Sequence, residues 1–217
     1  MTESASLRDR LRKVPTVDAV FPYFDTDATP DDPMPLVIQW IETAIDGGVS
    51  QPLAMTVATA STSGQPSART LIVKDVDATS LWFASLDSGA KGAELAENPR
   101  AALVFYWREQ GRQIRVVGRV EPGPREVSRL DFLARTPNAR ARAIAGNQGE
   151  PIQDLDERLA AARAKIDAEP DFVPEDWVAY RVIPDTVEFW QAERERDQVR
   201  LRYLRDDSGW VKDILWP

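Results

Sequence analysis

Four stretches of this sequence hold side chains whose types and spacing suit work on a small ligand. The first is ARTLIVKD, where Arg69 and Lys74 stand at the two ends of an apolar run. Two such cations can receive the anionic groups of a ligand, or sit solvated on an edge strand. Residues five apart on a regular strand point to opposite faces. One pocket takes both only across a bulge or twist, or as contacts to different parts of a ligand. The second stretch is SLDSGAKGAEL (85–95). Asp87 or Ser88 is placed to cap a helix, Gly89 permits close approach, and Lys91 falls in the first turn. A helix start with free N–H groups attracts phosphate; the plain alternative is a capped helix with an exposed lysine. The third is Gln113, with Arg112 and Arg115 beside it. An amide pairs with both a donor and an acceptor on a heterocycle edge, although a strand glutamine is often simply exposed. The fourth is EFWQAERERDQVRLRY (188–203), with Trp190, Arg194, Arg196, Gln198 and Arg200. An indole beside guanidiniums stacks on a flat ring or frames an anion. The plain alternative is core packing for Trp190 and surface ion pairs for the arginines.

Composition narrows the chemistry. The 217 residues include no His and no Cys. That excludes disulfides, thiol catalysis, Ser-His-Asp chemistry and ordinary imidazole or thiolate zinc sites. No acidic loop has the spacing of a metal site. Catalysis by this chain therefore rests on Arg, Lys, carboxylates and hydroxyls, or on a borrowed organic cofactor. The net charge of −8 argues against nucleic acid or an anionic membrane as partner, while a local basic pocket can still hold a phosphate. No apolar run approaches the 18 residues of a membrane helix, and the polar N-terminus lacks a signal-peptide pattern. The expected location is the cytoplasm.

The elements that must position these residues read as follows. Residues 1–20 form a mobile leader, and residues 21–217 a single domain. A helix starts at Asp32-Pro33, carries Leu36, Val37, Trp40, Ile41 and Ala44 on one face, and ends at Gly47-Gly48. Strands at 53–60, 67–76 and 81–85 form a meander. A short helix over 88–97 stops at Asn98-Pro99. Residues 100–107 and 111–122 form a hairpin. Helix covers 125–147, broken near Thr136-Pro137, and then 154–168, with Leu155, Leu159, Ala162 and Ile166 on one stripe. Three last strands occupy 177–190, 199–206 and 209–217. About seven short antiparallel strands with no β-α-β alternation predict a β-barrel with helices packed outside.

Taken together and in this order, the stretches DPMPLVIQWIETAIDGGVSQPLAMTVATA, GQPSARTLIVKDVD, KGAELAENPRAALVFYW, GRQIRVVGRVE, EFWQ and RLRYLRDDSGWVKDILWP resemble the pyridoxamine 5′-phosphate oxidase family, over roughly residues 20–217. The resemblance implies a mainly β fold with flanking helices, the split β-barrel. It also implies a homodimer with two FMN sites at the subunit interface. Arg69, Thr70, Leu71, Ile72, Val73 and Lys74 would line the FMN site. Ser85 and Lys91 would meet the phosphate or ribityl region, Gln113 and Gln148 would complete the site, and Trp190 and Arg200 would close over it. Lys74, Arg135, Arg196 and Gln198 would bind substrate. Arg196 would orient it over the ring, and Gln198 would stand where the family has an imidazole.

The chain departs from the family pattern at several points. The usual Ser-Arg-Lys is Gly89-Ala90-Lys91, and the usual Gln-Ser is Gln148-Gly149. In the substrate-phosphate segment a Tyr is replaced by Asp131 and a Ser by Ala139, while Arg135 remains. The Arg-Leu-His-Asp-Arg motif is Arg196-Asp197-Gln198-Val199-Arg200. The implied reaction is hydride transfer from a substrate carbon to flavin N5, with dioxygen reoxidising the flavin to give H₂O₂. Pyridoxine or pyridoxamine 5′-phosphate is the first substrate reading. A reduced tricyclic acid, as in the phenazine-biosynthesis oxidases, is the second. The third is a non-catalytic flavin-binding protein.

Overall fold

The computed structural model describes residues 6–14, 21, 23–146, 148–193 and 198–217. A short helix, α1 (Leu7–Lys13), stands inside the expected leader, started by the Ser6 side chain. Helix α2 (Pro33–Asp46) begins where expected. Asp32 accepts the Met34 N–H, Pro33 occupies the first turn, and Leu36, Val37, Trp40, Ile41 and Ala44 are buried.

The strands are β1 (Ala54–Ala60), β2 (Pro66–Ile72), β3 (Asp75–Val76), β4 (Leu81–Leu86), β5 (Arg100–Trp107), β6 (Arg112–Pro122), β7 (Trp177–Ala192), β8 (Gln198–Asp206) and β9 (Gly209–Ile214). They form one antiparallel sheet of nine strands among the described residues. Its main path runs β2-β1-β5-β6-β7-β4-β3, with β8 beside β7 and β9 beside β8. The expected meander is corrected here. The run 67–76 is two strands, and the segment 81–86 does not pair with β2; it pairs with β3 and β7. The cause is a change of partner at Val73-Lys74. The Val73 N–H donates to Leu53 O at 2.9 Å, and the next N–H, of Lys74, donates to Trp82 O at 2.8 Å. One length of chain thus holds both ends of the sheet path, so the sheet curls back on itself as a split barrel.

Strand β7 shapes the rest. Its first half pairs with β4, its second half with β8, and β6 follows it throughout. The β6–β7 register slips where Val117 faces Thr186 and Gly118 faces Pro184, leaving Asp185 as the extra residue of a bulge. Proline and glycine suit such a bend. A Cβ on Gly118 would lie 2.1 Å from Ile183 O, so only glycine lets the two strands approach this closely.

The core is the inner face of the sheet, with Val57, Leu103, Phe105, Ile114, Val116, Val187, Phe189 and Tyr203 buried and α2 laid across it. Trp40 packs edge-on to Phe189 with ring centroids 5.1 Å apart. The remaining helices are α3 (Ala90–Glu97), α4 (Arg125–Leu133), α5 (Pro137–Ala145) and α6 (Leu155–Ala168). The break at Thr136-Pro137 is where the sequence places it, with the Thr136 hydroxyl capping α5. Helices α5 and α6 close a second apolar cluster of Ala141, Ala145, Leu159, Ala162 and Ile166. Phe132 of α4 packs against Trp177 and Leu86. No helix among the described residues is long and apolar enough to cross a membrane.

Candidate functional site

The candidate residues fall into two groups. The upper group surrounds Lys91, which is not the exposed lysine of an ordinary capped helix: it is 4% exposed. Its ammonium donates to Ser85 Oγ and, at 2.8 Å, to Gln148 Oε1. Among the described residues no carboxylate lies within ion-pair distance of it. Burial lowers its pKa to about 8, the charge of Arg69 adds to that effect, and Glu94 opposes it. The helix start differs from expectation. Gly89, not Asp87 or Ser88, is the cap, and it makes no side-chain bond. Ser88 Oγ is engaged by Asp176 at 2.6 Å instead. Gly92 allows the loop to fold this tightly over α3, since a Cβ there would lie 1.8 Å from Asp87 O.

Arg69 belongs to the same group through a network across β1, β2 and α3. Its guanidinium donates to Thr59 Oγ1 at 2.6 Å, to Val57 O at 3.3 Å and to Ser67 Oγ. Glu94, one turn after Lys91, accepts from Ser67 at 2.7 Å and from Thr59, and its oxygen lies 3.5 Å from Arg69. Hydrogen bonds from Thr59 and Ser67 hold this carboxyl below its ordinary range. Sequence reasoning passed over Glu94; its position three residues after Lys91 on a short helix was the available signal.

Arg69 and Lys74 belong to different stretches of backbone: Arg69 lies on β2, and Lys74 lies past its end, where the chain changes partner. On β2, Ser67, Arg69 and Leu71 are partly buried, while Thr70 and Ile72 are exposed. Lys74 instead pairs with Asp131, Nζ to Oδ1 3.2 Å. The other oxygen of Asp131 accepts the Trp177 indole N–H at 3.0 Å. Arg135, one turn later, lays its guanidinium 4.5 Å from the centroid of the Trp177 ring. Burial pushes the Arg135 pKa down. A cavity of about 450 Å³ joins these parts, lined among others by Thr70, Leu71, Ile72, Lys74, Ser85, Arg135, Arg142, Gln148 and Trp177. Val73 is buried in the core and is not among the lining residues.

The lower group lies on β6, β7 and β8. Gln113 faces Trp190, and Trp190 faces Arg200, across the ladders. The Trp190 indole N–H donates to Gln198 Oε1. Arg200 donates to Glu188 Oε1 at 2.8 Å and 3.0 Å, and Arg115 holds the other oxygen of Glu188. Glu188 is 3% exposed, a buried carboxylate bracing two guanidiniums that sequence reasoning also passed over. Arg196, expected to orient substrate, lies outside the described residues, as does Arg194.

The two groups are far apart within one chain. Ser85 lies opposite Val178, and Gln113 opposite Trp190, on the same strand β7. Twelve steps at about 3.3 Å each give roughly 40 Å of strand, shortened by the bend at the bulge.

Comparison with known proteins agrees with this architecture. Residues 41–168 match the family model described as pyridoxamine 5′-phosphate oxidase, and residues 177–217 the pyridoxine 5′-phosphate oxidase C-terminal dimerisation region. A pyridoxine/pyridoxamine 5′-phosphate oxidase of Rubrobacter xylanophilus is 37% identical over 194 residues, covering 88% of this chain and 89% of its own. One from a Nostoc species is 40% identical over 192 residues, covering 86% and 90%. The structure of PhzG from Burkholderia lata, in complex with tetrahydrophenazine-1-carboxylic acid, superposes with a TM-score of 0.83 at 32% identity, covering 94% of this chain and all of that one. The split barrel, the matched segments and these relatives establish that the chain belongs to the pyridoxamine 5′-phosphate oxidase family.

Proposed function

We propose that this protein is an FMN-dependent oxidase acting on a planar ring that carries an oxyanion, with each site built from two copies of the chain. The observation that carries the reading is the buried Lys91 ammonium, which has hydroxyl and amide partners but no carboxylate counter-ion among the described residues. Desolvating a cation is costly unless an anion meets it, and a phosphate ester supplies that anion. The residues present therefore fit FMN. Lys91, Ser85 and Gln148 would hold its phosphate end, with Arg69 close by, and Thr70, Leu71, Ile72 and Lys74 would line the wall beside it. Gln113, Trp190 and Arg200 lie too far along β7 to join the same site within one chain, which supports a homodimer. The dimerisation region at 177–217, which includes Trp190 and Arg200, agrees.

When bound, FMN would supply the redox chemistry, hydride acceptance from a substrate carbon and reoxidation by dioxygen to H₂O₂. The protein binds, orients and desolvates. Trp190 offers a flat apolar wall, and its indole N–H fixes the amide of Gln198 where the family places an imidazole. Arg196 and Gln198 orient the substrate, and Arg135 receives its anionic group. Glu188 holds Arg200 in place. Nothing in this scheme needs a histidine or a thiol.

Two substrate classes are supported by different observations. The relatives named above support pyridoxine or pyridoxamine 5′-phosphate. The Lys74–Asp131 ion pair and the lack of a hydroxyl at Ala139 favour the second, a reduced tricyclic acid, and the likeness to PhzG agrees. The test is the visible spectrum of the purified protein, followed by anaerobic addition of each candidate. A flavin spectrum bleached by pyridoxamine phosphate or by a dihydrophenazine acid identifies the substrate. A flavin that neither bleaches marks a binding protein, and a protein with no affinity for FMN overturns the proposal.

A further inference from the structure

The 450 Å³ cavity is electrostatically at odds with the chain that forms it. The protein carries −8 overall, yet among the described residues the cavity is lined by Lys74, Arg135 and Arg142 and by no Asp or Glu. The three cations are not equally available. The ammonium of Lys74 is committed to Asp131 at 3.2 Å. Arg135 rests on Trp177, makes one long bond of 3.4 Å to Ala139 O, and leaves its buried Nε without a hydrogen-bond partner. Among the described residues Arg142 makes no side-chain hydrogen bond or ion pair.

Taking the cavity as the substrate end of the oxidase site, we propose that Arg142 is a substrate-binding residue. Together with Arg135 it clamps the oxyanion of the planar substrate. The helix geometry supports this. Arg142 and Gly146 are one turn apart and both line the cavity. Ala139, which offers no donor, lies three residues before Arg142. Helical side chains lean toward the N-terminus, so the long guanidinium at 142 covers the turn where Ala139 leaves a gap. Gly146 adds no side chain to the wall. Two planar guanidiniums suit the paired oxygens of a carboxylate or a phosphate. The sequence offers no cue that singles out Arg142 from its neighbours in ARARA; only the folded cavity does.

The test is equilibrium binding to the purified protein by calorimetry, for wild type, Arg142→Ala and Arg142→Lys. The probes are pyridoxal 5′-phosphate, phenazine-1-carboxylate and uncharged pyridoxal, with FMN titrated separately. The alanine variant is expected to weaken at least one anion by about 10- to 100-fold, with lysine recovering part of it and with pyridoxal and FMN unchanged. Weakening of the phosphate probe alone identifies the anion as phosphate, and of the tricyclic probe alone as carboxylate. Unchanged affinity for both anions overturns the proposal. So does equal weakening of pyridoxal or FMN, or a wild type that binds neither anion. Loss of the FMN reading is seen separately, in the flavin titration, since the anion probes need no flavin.

Discussion

Replacing Asp131 by Asn tests the electrostatics of the substrate end directly. The amide keeps an oxygen to accept the Trp177 indole N–H, which the carboxylate now accepts at 3.0 Å. What it removes is the charge 3.2 Å from the Lys74 ammonium. At that distance the Coulomb attraction is about 5 kcal/mol at an effective dielectric of ~20 and about 1 kcal/mol in bulk water. Lys74 is 34% exposed and Asp131 14%, so solvent screening brings the net value to about 1 kcal/mol or less. In the wild type a phosphate must compete with that carboxylate for Lys74 and also approach its negative charge. Freeing the lysine adds one charge-assisted contact, worth roughly 1.5–3 kcal/mol. Asp131→Asn is therefore expected to raise kcat/KM on pyridoxine 5′-phosphate by about 10- to 100-fold. Activity on unphosphorylated pyridoxine should change by less than about threefold. Asp131→Tyr combined with Ala139→Ser, which restores two hydroxyl donors, should go at least as far. Steady-state oxygen consumption with both substrates gives the answer. An unchanged kcat/KM, or an equal rise on pyridoxine, shows that Asp131 does not govern phosphate recognition.

Other outcomes follow from the same geometry. The Lys91 pKa of about 8 is that of the protein without bound anion, and a bound phosphate raises it. FMN therefore binds the protonated form better: affinity is full below pH 8 and falls by up to about tenfold per pH unit above it. Riboflavin affinity stays flat, and fluorescence quenching against pH separates the two. Gly118→Ala pushes a Cβ to 2.1 Å from Ile183 O, and the resulting shift of β6 against β7 is expected to cost about 3 kcal/mol or more in urea unfolding; a cost under about 1 kcal/mol refutes the tight bulge. Light scattering at micromolar concentration should give twice 24.3 kDa, and a flavin-loaded monomer rules out a site built from two chains.

The sequence was most legible where local chemistry decides structure. Asp32-Pro33 and Gly47-Gly48 mark both ends of α2, and Thr136-Pro137 separates α4 from α5. It was least legible where a distant partner decides. SARTLIVKDV has the residues of one continuous strand, and nothing local shows that Val73 will bond to Leu53 and Lys74 to Trp82. The surroundings of the charges were hard to read for a similar reason. A lysine in a first helical turn is usually solvated, but Lys91 is buried because Gly92 lets the preceding loop close over it. Nothing local marks Glu94 or Glu188; each becomes a brace for arginine only once strands from elsewhere arrive beside it.

The separation of the two groups along β7 explains why the residues proposed to hold the cofactor had to be read from so much of the chain. A barrel wall this long presents its two ends to different surroundings: α4 and α5 cover the β4 end, while β8 and β9 extend the other. The upper end concentrates cations, Lys91, Arg69, Lys74 and Arg135, with carboxylates placed to restrain Arg69 and Lys74. The lower end supplies an indole and two arginines braced by one buried carboxylate. If the proposed function holds, the anion-binding end and the ring-stacking end are separated by twelve residues of strand and do not meet within one molecule. In the proposed dimer, an antiparallel pairing of two molecules would bring the upper end of one against the lower end of the other and generate two equivalent sites by symmetry. On this argument the dimer is a condition of the chemistry, and a substitution that blocks association should abolish flavin binding before it unfolds either barrel.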